Sequence, residues 1–279
     1  MSAGEPGEPG ALGGVGRARR QASGERANRV TWAALPNSEM SMADDTTVIV
    51  TVEGGIGVGK STVMDALRAA RPSLLFIDEP VATWEETGLL DAMYKKTIPS
   101  GTFQIAALAT RMAPILKAVR EGHRLIVTER CPWSDFEVFT KANLAEGSIE
   151  LAAYKMAYDA LMTAMPDNVS LCNLYLAAQV PTLEKRIAWR ARDAERTETP
   201  AARTARSEYL GVLQDRQDAF AVMTAKELGV QRYVTKQINA EEGAVAVAQK
   251  AEYALSCMAP VKLESAVAPS KRARGEGSD

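Results

Sequence analysis

The stretch VIVTVEGGIGVGKST, from Val48 to Thr62, holds the residue types that bind phosphate. Gly54, Gly59, Lys60 and Ser61 fill the fixed positions of GxxxxGK[ST], and Gly55 and Gly57 loosen the backbone between them. Successive N–H groups of Gly54, Gly55, Ile56, Gly57, Val58 and Gly59 can therefore turn inward on one anion. Lys60 places a point charge on the outer phosphates, and Ser61 offers its hydroxyl to Mg²⁺. The helical pattern that begins at Ser61 and Thr62 presents its positive dipole end to the same group.

Charged clusters elsewhere are of the kind that moves a phosphoryl group. Asp78-Glu79 follows a short apolar run, Glu129-Arg130 follows another with Asp135 five residues on, and Arg186, Arg190, Arg192 and Arg196 crowd one segment. A carboxylate near a phosphate-bound Mg²⁺ can hold the metal, and arginines can neutralise a phosphoryl group in transfer. Gln104 and Arg111 lie seven apart in a long helical pattern, with Ala107 on the same stripe. An amide can bond two edges of a nucleobase, and alanine leaves room for a flat ring. Taken alone, that stripe reads equally well as a polar face in water.

The elements that position these groups alternate. Strands are expected at Val48 onward, Leu74–Ile77, Arg124–Thr128, Val169–Leu176 and Val230–Thr235. Helices are expected over Ser61–Ala70, Glu85–Tyr94, Thr102 to about Glu121, Ser148–Met165, from Pro181, over Ser207–Leu228 and over Glu241–Cys257. This order specifies an α/β fold with a parallel sheet covered on both faces by right-handed crossovers. Residues 1–45 and 259–279 lack periodic apolar positions and are expected to be disordered, leaving 46–258 as one domain.

The net charge of −2 over 279 residues argues against a broad basic face for duplex nucleic acid, and no apolar run is long enough to cross a membrane. Cys131, Cys172 and Cys257 are widely spaced and lack accompanying histidines, which fits a reducing compartment better than a disulfide framework or a zinc site. The single histidine, His123, sits in a Gly-His-Arg turn and reads as surface. A cytoplasmic or nuclear location is expected. The mitochondrial alternative rests on Arg17, Arg19, Arg20, Arg26 and Arg29, and Glu5, Glu8 and Glu25 oppose it.

Together, EGGIGVGKST, the EPVATW of Glu79–Trp84, Tyr94, the TFQ of Thr102–Gln104 with Arg111, the TERC of Thr128–Cys131 and the RIAWRARDAE of Arg186–Glu195 resemble the deoxynucleoside kinase family. The resemblance covers roughly residues 46–257. It implies a P-loop kinase of three α/β/α layers, with a five-stranded parallel sheet and an arginine-rich lid. It implies ATP or another nucleoside triphosphate as donor, a deoxynucleoside as acceptor, Mg²⁺ as cofactor and a homodimer, in nucleotide salvage. Glu79 then takes the proton of the 5′-hydroxyl, Arg130 positions that oxygen and the moving phosphate, and Lys60 holds the donor. Ser61 with Glu129 holds Mg²⁺, Arg190 and Arg192 close over the donor phosphates, Tyr94 and Glu195 grip the sugar, Gln104 pairs with the base, and Trp84 belongs to the substrate site. Arg111 and Asp135 point to deoxycytidine or purine deoxynucleosides. Cys131 departs from the usual serine, and the segment between Glu195 and Tyr209 is longer than usual, which bears on donor choice.

Other readings share the phosphate loop: a thymidine-preferring kinase, a nucleoside monophosphate kinase, or an ATPase motor or switch. No Asp-x-x-Gly switch and no Asn/Thr-Lys-x-Asp guanine-reading motif is present, which weighs against a GTPase.

Overall fold

Buried apolar runs make the strands. In the computed structural model, which describes residues 46–190 and 199–258, these are β1 (Thr47–Gly54), β2 (Leu75–Ile77), β3 (Leu125–Glu129), β4 (Val169–Ala177) and β5 (Arg232–Asn239). They pair in the order β2-β3-β1-β4-β5, all parallel, with β1 central. A parallel sheet needs both faces covered, and the alternation along β1 shows how. Val48, Val50 and Val52 join one apolar cluster, while Ile49 joins another on the opposite face.

Helices α1 (Lys60–Ala70) and α11 (Ala244–Met258) cover the first face through Val63, Leu67, Val247 and Leu255. The second face is covered by α4 (Ser100–Arg120), α7 (Ile149–Met162) and α9 (Pro200–Ala221), through Met112, Ile115, Tyr154 and Leu213. The remaining helices are α2 (Val81–Glu86), α3 (Leu89–Tyr94), α5 (Pro132–Ser134), α6 (Lys141–Asn143), α8 (Val180–Arg190) and α10 (Ala225–Leu228). A π-helical turn, Asp135–Thr140, joins α5 to α6. The result is the three-layer α/β/α arrangement expected from the sequence.

Several boundaries differ from expectation. The single helix expected over Glu85–Tyr94 is two short ones, because Gly88 adopts φ +71 and turns the chain between them. Helix α9 begins at Pro200 rather than Ser207, since Thr199 caps it by accepting the Ala202 N–H and proline suits the first helical turn. That helix stops at Ala221, and Thr224 with Glu227 forms a capping box that starts α10 separately. The last strand runs to Asn239, beyond the expected Thr235. The helical stretch from Pro132 to Asn143 was not expected from periodicity. The segments 1–45 and 259–279, for which disorder is expected, lie outside the described residues.

Candidate active site

Parallel strands bring their C-terminal ends to one edge of the sheet, and the crevice beyond that edge is where open α/β sheets bind ligands. A cavity of about 790 Å³ opens there. The loop after β1 forms one end. Gly54 has φ +138, and a Cβ there would lie 2.4 Å from the Leu176 carbonyl oxygen. A Cβ on Gly55 would lie 2.6 Å from Leu183 Cδ1, and one on Gly57 (φ +81) 2.9 Å from Ile187 Cγ1. The loop is thus pressed against α8 and has no room for side chains at these positions. Ile56, Gly57, Val58, Gly59, Lys60, Ser61 and Thr62 line the cavity, whereas Gly54 and Gly55 do not.

Lys60 is buried, donates to the Gly55 carbonyl at 3.3 Å and lies 3.9 Å from Glu129. Burial and the neighbouring Arg130 lower its pKa to about 8, against the pull of Glu129, Glu79 and Glu53. Ser61 Oγ donates to Glu129 Oε2 at 3.2 Å. Burial raises the Glu129 pKa, opposed by Lys60. These hard oxygen donors beside the phosphate loop suit Mg²⁺, which keeps several waters and takes one or two carboxylates plus substrate phosphates.

Midway along the cavity stands Glu79, just past β2. Arg111 Nη2 donates to its Oε1 at 2.6 Å, and Arg130 Nε lies 3.2 Å from the same oxygen. Burial alone would raise the Glu79 pKa, but Arg130, Arg111 and Lys60 outweigh it and hold the carboxyl at about 2. The neighbouring Asp78 is spent differently, in an exposed ion pair with Arg68 at 2.6 Å. Both acids line the cavity, Asp78 at its exposed edge and Glu79 buried within reach of Arg111 and Arg130.

At the far end, α4 presents Gln104, Ala107 and Arg111 on one buried face. Arg111 bonds Asp135 through its other terminal nitrogen and lies 5.5 Å from the centre of the Trp84 ring. Burial opposes the charge on Arg111, but Asp135 and Glu79 raise its pKa above the ordinary value. Burial lifts Asp135 to about 6 despite that guanidinium. Trp84 is fixed by its indole N–H to Thr110 Oγ1 at 3.0 Å and by an edge contact with Phe103. Tyr94 and Gln104 line the same wall. The stripe is therefore not a water-facing surface.

Except for Gly54 and Gly55, every expected site residue among the described ones lines this cavity, Arg190 included. Arg192 and Glu195 lie outside the described residues. Arg186, grouped by sequence with the phosphate-closing arginines, instead donates to the Val58 and Ala240 carbonyl oxygens, both at 2.8 Å, and ties the loop to the sheet. Sequence reasoning missed Glu53, Phe139, Tyr209 and Trp189. Phe139 and Tyr209 come from a π-helical turn and a helix whose start was misplaced. Glu53 was legible as an acid near the end of an apolar strand, like Glu129.

Comparison with known proteins agrees with this fold. A family model described as deoxynucleoside kinase matches residues 50–242. The chain is 30% identical over 155 residues to "Putative kinase protein 029R" of Invertebrate iridescent virus 3, covering 53% of this chain and 73% of that protein. It is 29% identical over 117 residues to "Putative kinase protein 143R" of Invertebrate iridescent virus 6, covering 40% and 57% respectively. Among solved structures it is similar in fold to a deoxyadenosine kinase from M. mycoides with the products dCMP and a flexible dCDP bound. The TM-score is 0.58 at 20% identity, over 75% of this chain and 99% of that one.

Proposed function

This chain belongs to the deoxynucleoside kinase family, and from that premise we propose that it transfers the γ-phosphoryl group of ATP to the 5′-hydroxyl of a deoxynucleoside, deoxycytidine or a purine deoxynucleoside. The observation that carries this reading is the position of Glu79. Its carboxylate faces a cavity with a phosphate loop at one end and a Gln104–Arg111–Asp135 wall at the other. The volume is within the range of sites that enclose small ligands.

The donor phosphates take the loop N–H groups, Lys60 and the dipole end of α1. Mg²⁺, held by Ser61 and Glu129, would neutralise charge on the donor phosphates. The acceptor hydroxyl donates to Glu79, which aims an oxygen lone pair at the γ-phosphorus. As the new P–O bond forms and the bond to the β,γ-bridging oxygen breaks, the hydroxyl proton passes to Glu79. With a pKa of about 2 in the free site, Glu79 is a weak base. It gains proton affinity as the acceptor displaces Arg111 and Arg130 from it. Little base strength is needed, because phosphoryl transfer depends mainly on positioning and charge stabilisation.

Base choice follows from the far wall. A carboxylate accepts from the exocyclic amine of cytosine or adenine, and an amide bonds two edge atoms at once. Asp135 and Gln104 offer these groups, and the M. mycoides relative was solved with dCMP as a product. Thymine has no exocyclic amine, which supports the preference over a thymidine acceptor.

The test is kcat/KM for the four deoxynucleosides with ATP and Mg²⁺, read as labelled monophosphate. Monophosphate formation, fastest with an amine-bearing base, is expected. Turnover of monophosphates alone, or phosphate release without any acceptor, overturns the reading. Salvage, a homodimeric assembly and a cytoplasmic or nuclear location form part of the same proposal.

A further inference from the structure

Glu53, the penultimate residue of β1, is fully buried where the strand enters the phosphate loop. It lies on the strand face of Ile49 and Thr51, away from the face of Val48, Val50 and Val52. Its Oε1 accepts from Thr51 Oγ1 at 2.7 Å. Its Oε2 lies 3.5 Å from Gln217 Nε2 and 3.7 Å from Arg130 Nη1. A carboxylate taken out of water at such cost demands a partner charge, and Arg130 supplies it.

Arg130 is itself held in an unusual way. It is one of two non-glycine residues at positive φ among the described ones, at +66. Its N–H donates to the Val52 carbonyl at 3.2 Å, which brings its backbone beside Glu53. The guanidinium lies over the Phe139 ring, 4.4 Å from its centre, with Nε toward Glu79. Nη1 is buried with no hydrogen-bond partner among the described residues. Left-handed backbone at a non-glycine residue is strain that its surroundings must sustain.

We propose that Glu53 is a positioning residue that anchors Arg130 from behind, so that the guanidinium keeps its place when the acceptor hydroxyl takes over Glu79. Glu79 changes partners during turnover, whereas Glu53, sealed between Thr51 and Gln217, does not. An arginine tied to Glu79 alone would lose its only counter-charge at the moment it must face the moving phosphoryl group. The anchor therefore acts on the transition state more than on ground-state binding, and its removal lowers kcat while sparing KM. This inference rests on the phosphotransfer reading above.

The test compares wild type with Glu53→Gln, which keeps shape and the Thr51 bond but removes the charge. Expected are a kcat lower by about 10- to 100-fold, KM values for ATP and nucleoside nearly unchanged, and faster solvent exchange of the ¹⁵N-labelled Arg130 Nε–H. A second arm uses Arg130→Ala, whose turnover recovers with millimolar guanidinium when Glu53 is present and fails to recover when Glu53→Gln is added. Unchanged kcat in Glu53→Gln, unchanged Arg130 exchange, or equal guanidinium rescue in both backgrounds overturns the proposal. A wild type that phosphorylates no nucleoside defeats the functional reading instead, and the exchange measurement still judges the anchor.

Discussion

Arg111 links the middle of the cavity to its far end, donating to Glu79 at 2.6 Å with one terminal nitrogen while holding Asp135 with the other. The group that would meet the base and the group that would meet the 5′-hydroxyl thus share one guanidinium. Removing the arginine leaves the buried Asp135 without its counter-charge and Glu79 with Arg130 alone, and breaking a buried pair in this way costs about 3–5 kcal/mol. Arg111→Met should accordingly lower stability by several kcal/mol in urea melts, well beyond the loss from Arg68→Met at the exposed Asp78 pair.

Replacing Glu79 by Gln should reduce kcat by about 10²–10⁴-fold, with ATP affinity by calorimetry close to that of wild type. Turnover near the wild-type level would remove Glu79 from the chemistry.

Asp135 makes stability depend on pH with a definite sign. Its folded pKa of about 6 lies above the unfolded value near 3.9. The folded state therefore holds the proton more tightly, and this contribution is present below about pH 4 and lost as the pH rises through about 6. The slope amounts to about 2–3 kcal/mol. Urea melts at intervals between pH 4 and 7 should show that slope in wild type relative to Asp135→Asn. In assays at neutral pH, Asp135→Asn should also narrow the preference for deoxycytidine over thymidine by about tenfold.

Gly57→Ala tests the tight loop. The added Cβ meets Ile187 at 2.9 Å on a backbone at φ +81. The loop must shift from α8, and KM for ATP should rise by about tenfold or more, while a thermal melt changes little. Unaltered ATP affinity would show that the loop does not cradle the donor.

Ser61→Ala removes one of two oxygen donors proposed for the metal. The Mg²⁺ concentration needed for half-maximal activity should rise, with saturating Mg²⁺ restoring part of the turnover.

Much of this arrangement was legible in the sequence where a side chain's role coincides with local pattern. The phosphate loop sits between a β-branched run and a helix, and Glu79 and Glu129 each close an apolar strand. The sheet order then brings them together, with β3 pairing beside β1. What escaped depends on geometry that periodicity does not encode. The π-helical turn of Asp135–Thr140 carries Asp135 and Phe139 to the cavity wall together, and a wider turn leaves no 3.6-residue signature. Thr199-Pro200 was a readable helix start hidden in a segment whose composition suggested a loop. Glu53 opens the loop motif in sequence, yet the alternation along β1 turns it toward Arg130.

The central place of β1 has a consequence for how this protein is made. Its two neighbours, β3 and β4, are synthesised long after it, and the second is complete only at Ala177. A nascent chain halted before Val169 therefore leaves one flank of Thr47–Gly54 without a hydrogen-bonding partner. Ribosome-bound chains of increasing length should capture immobilised ATP only once β4 has emerged from the exit tunnel.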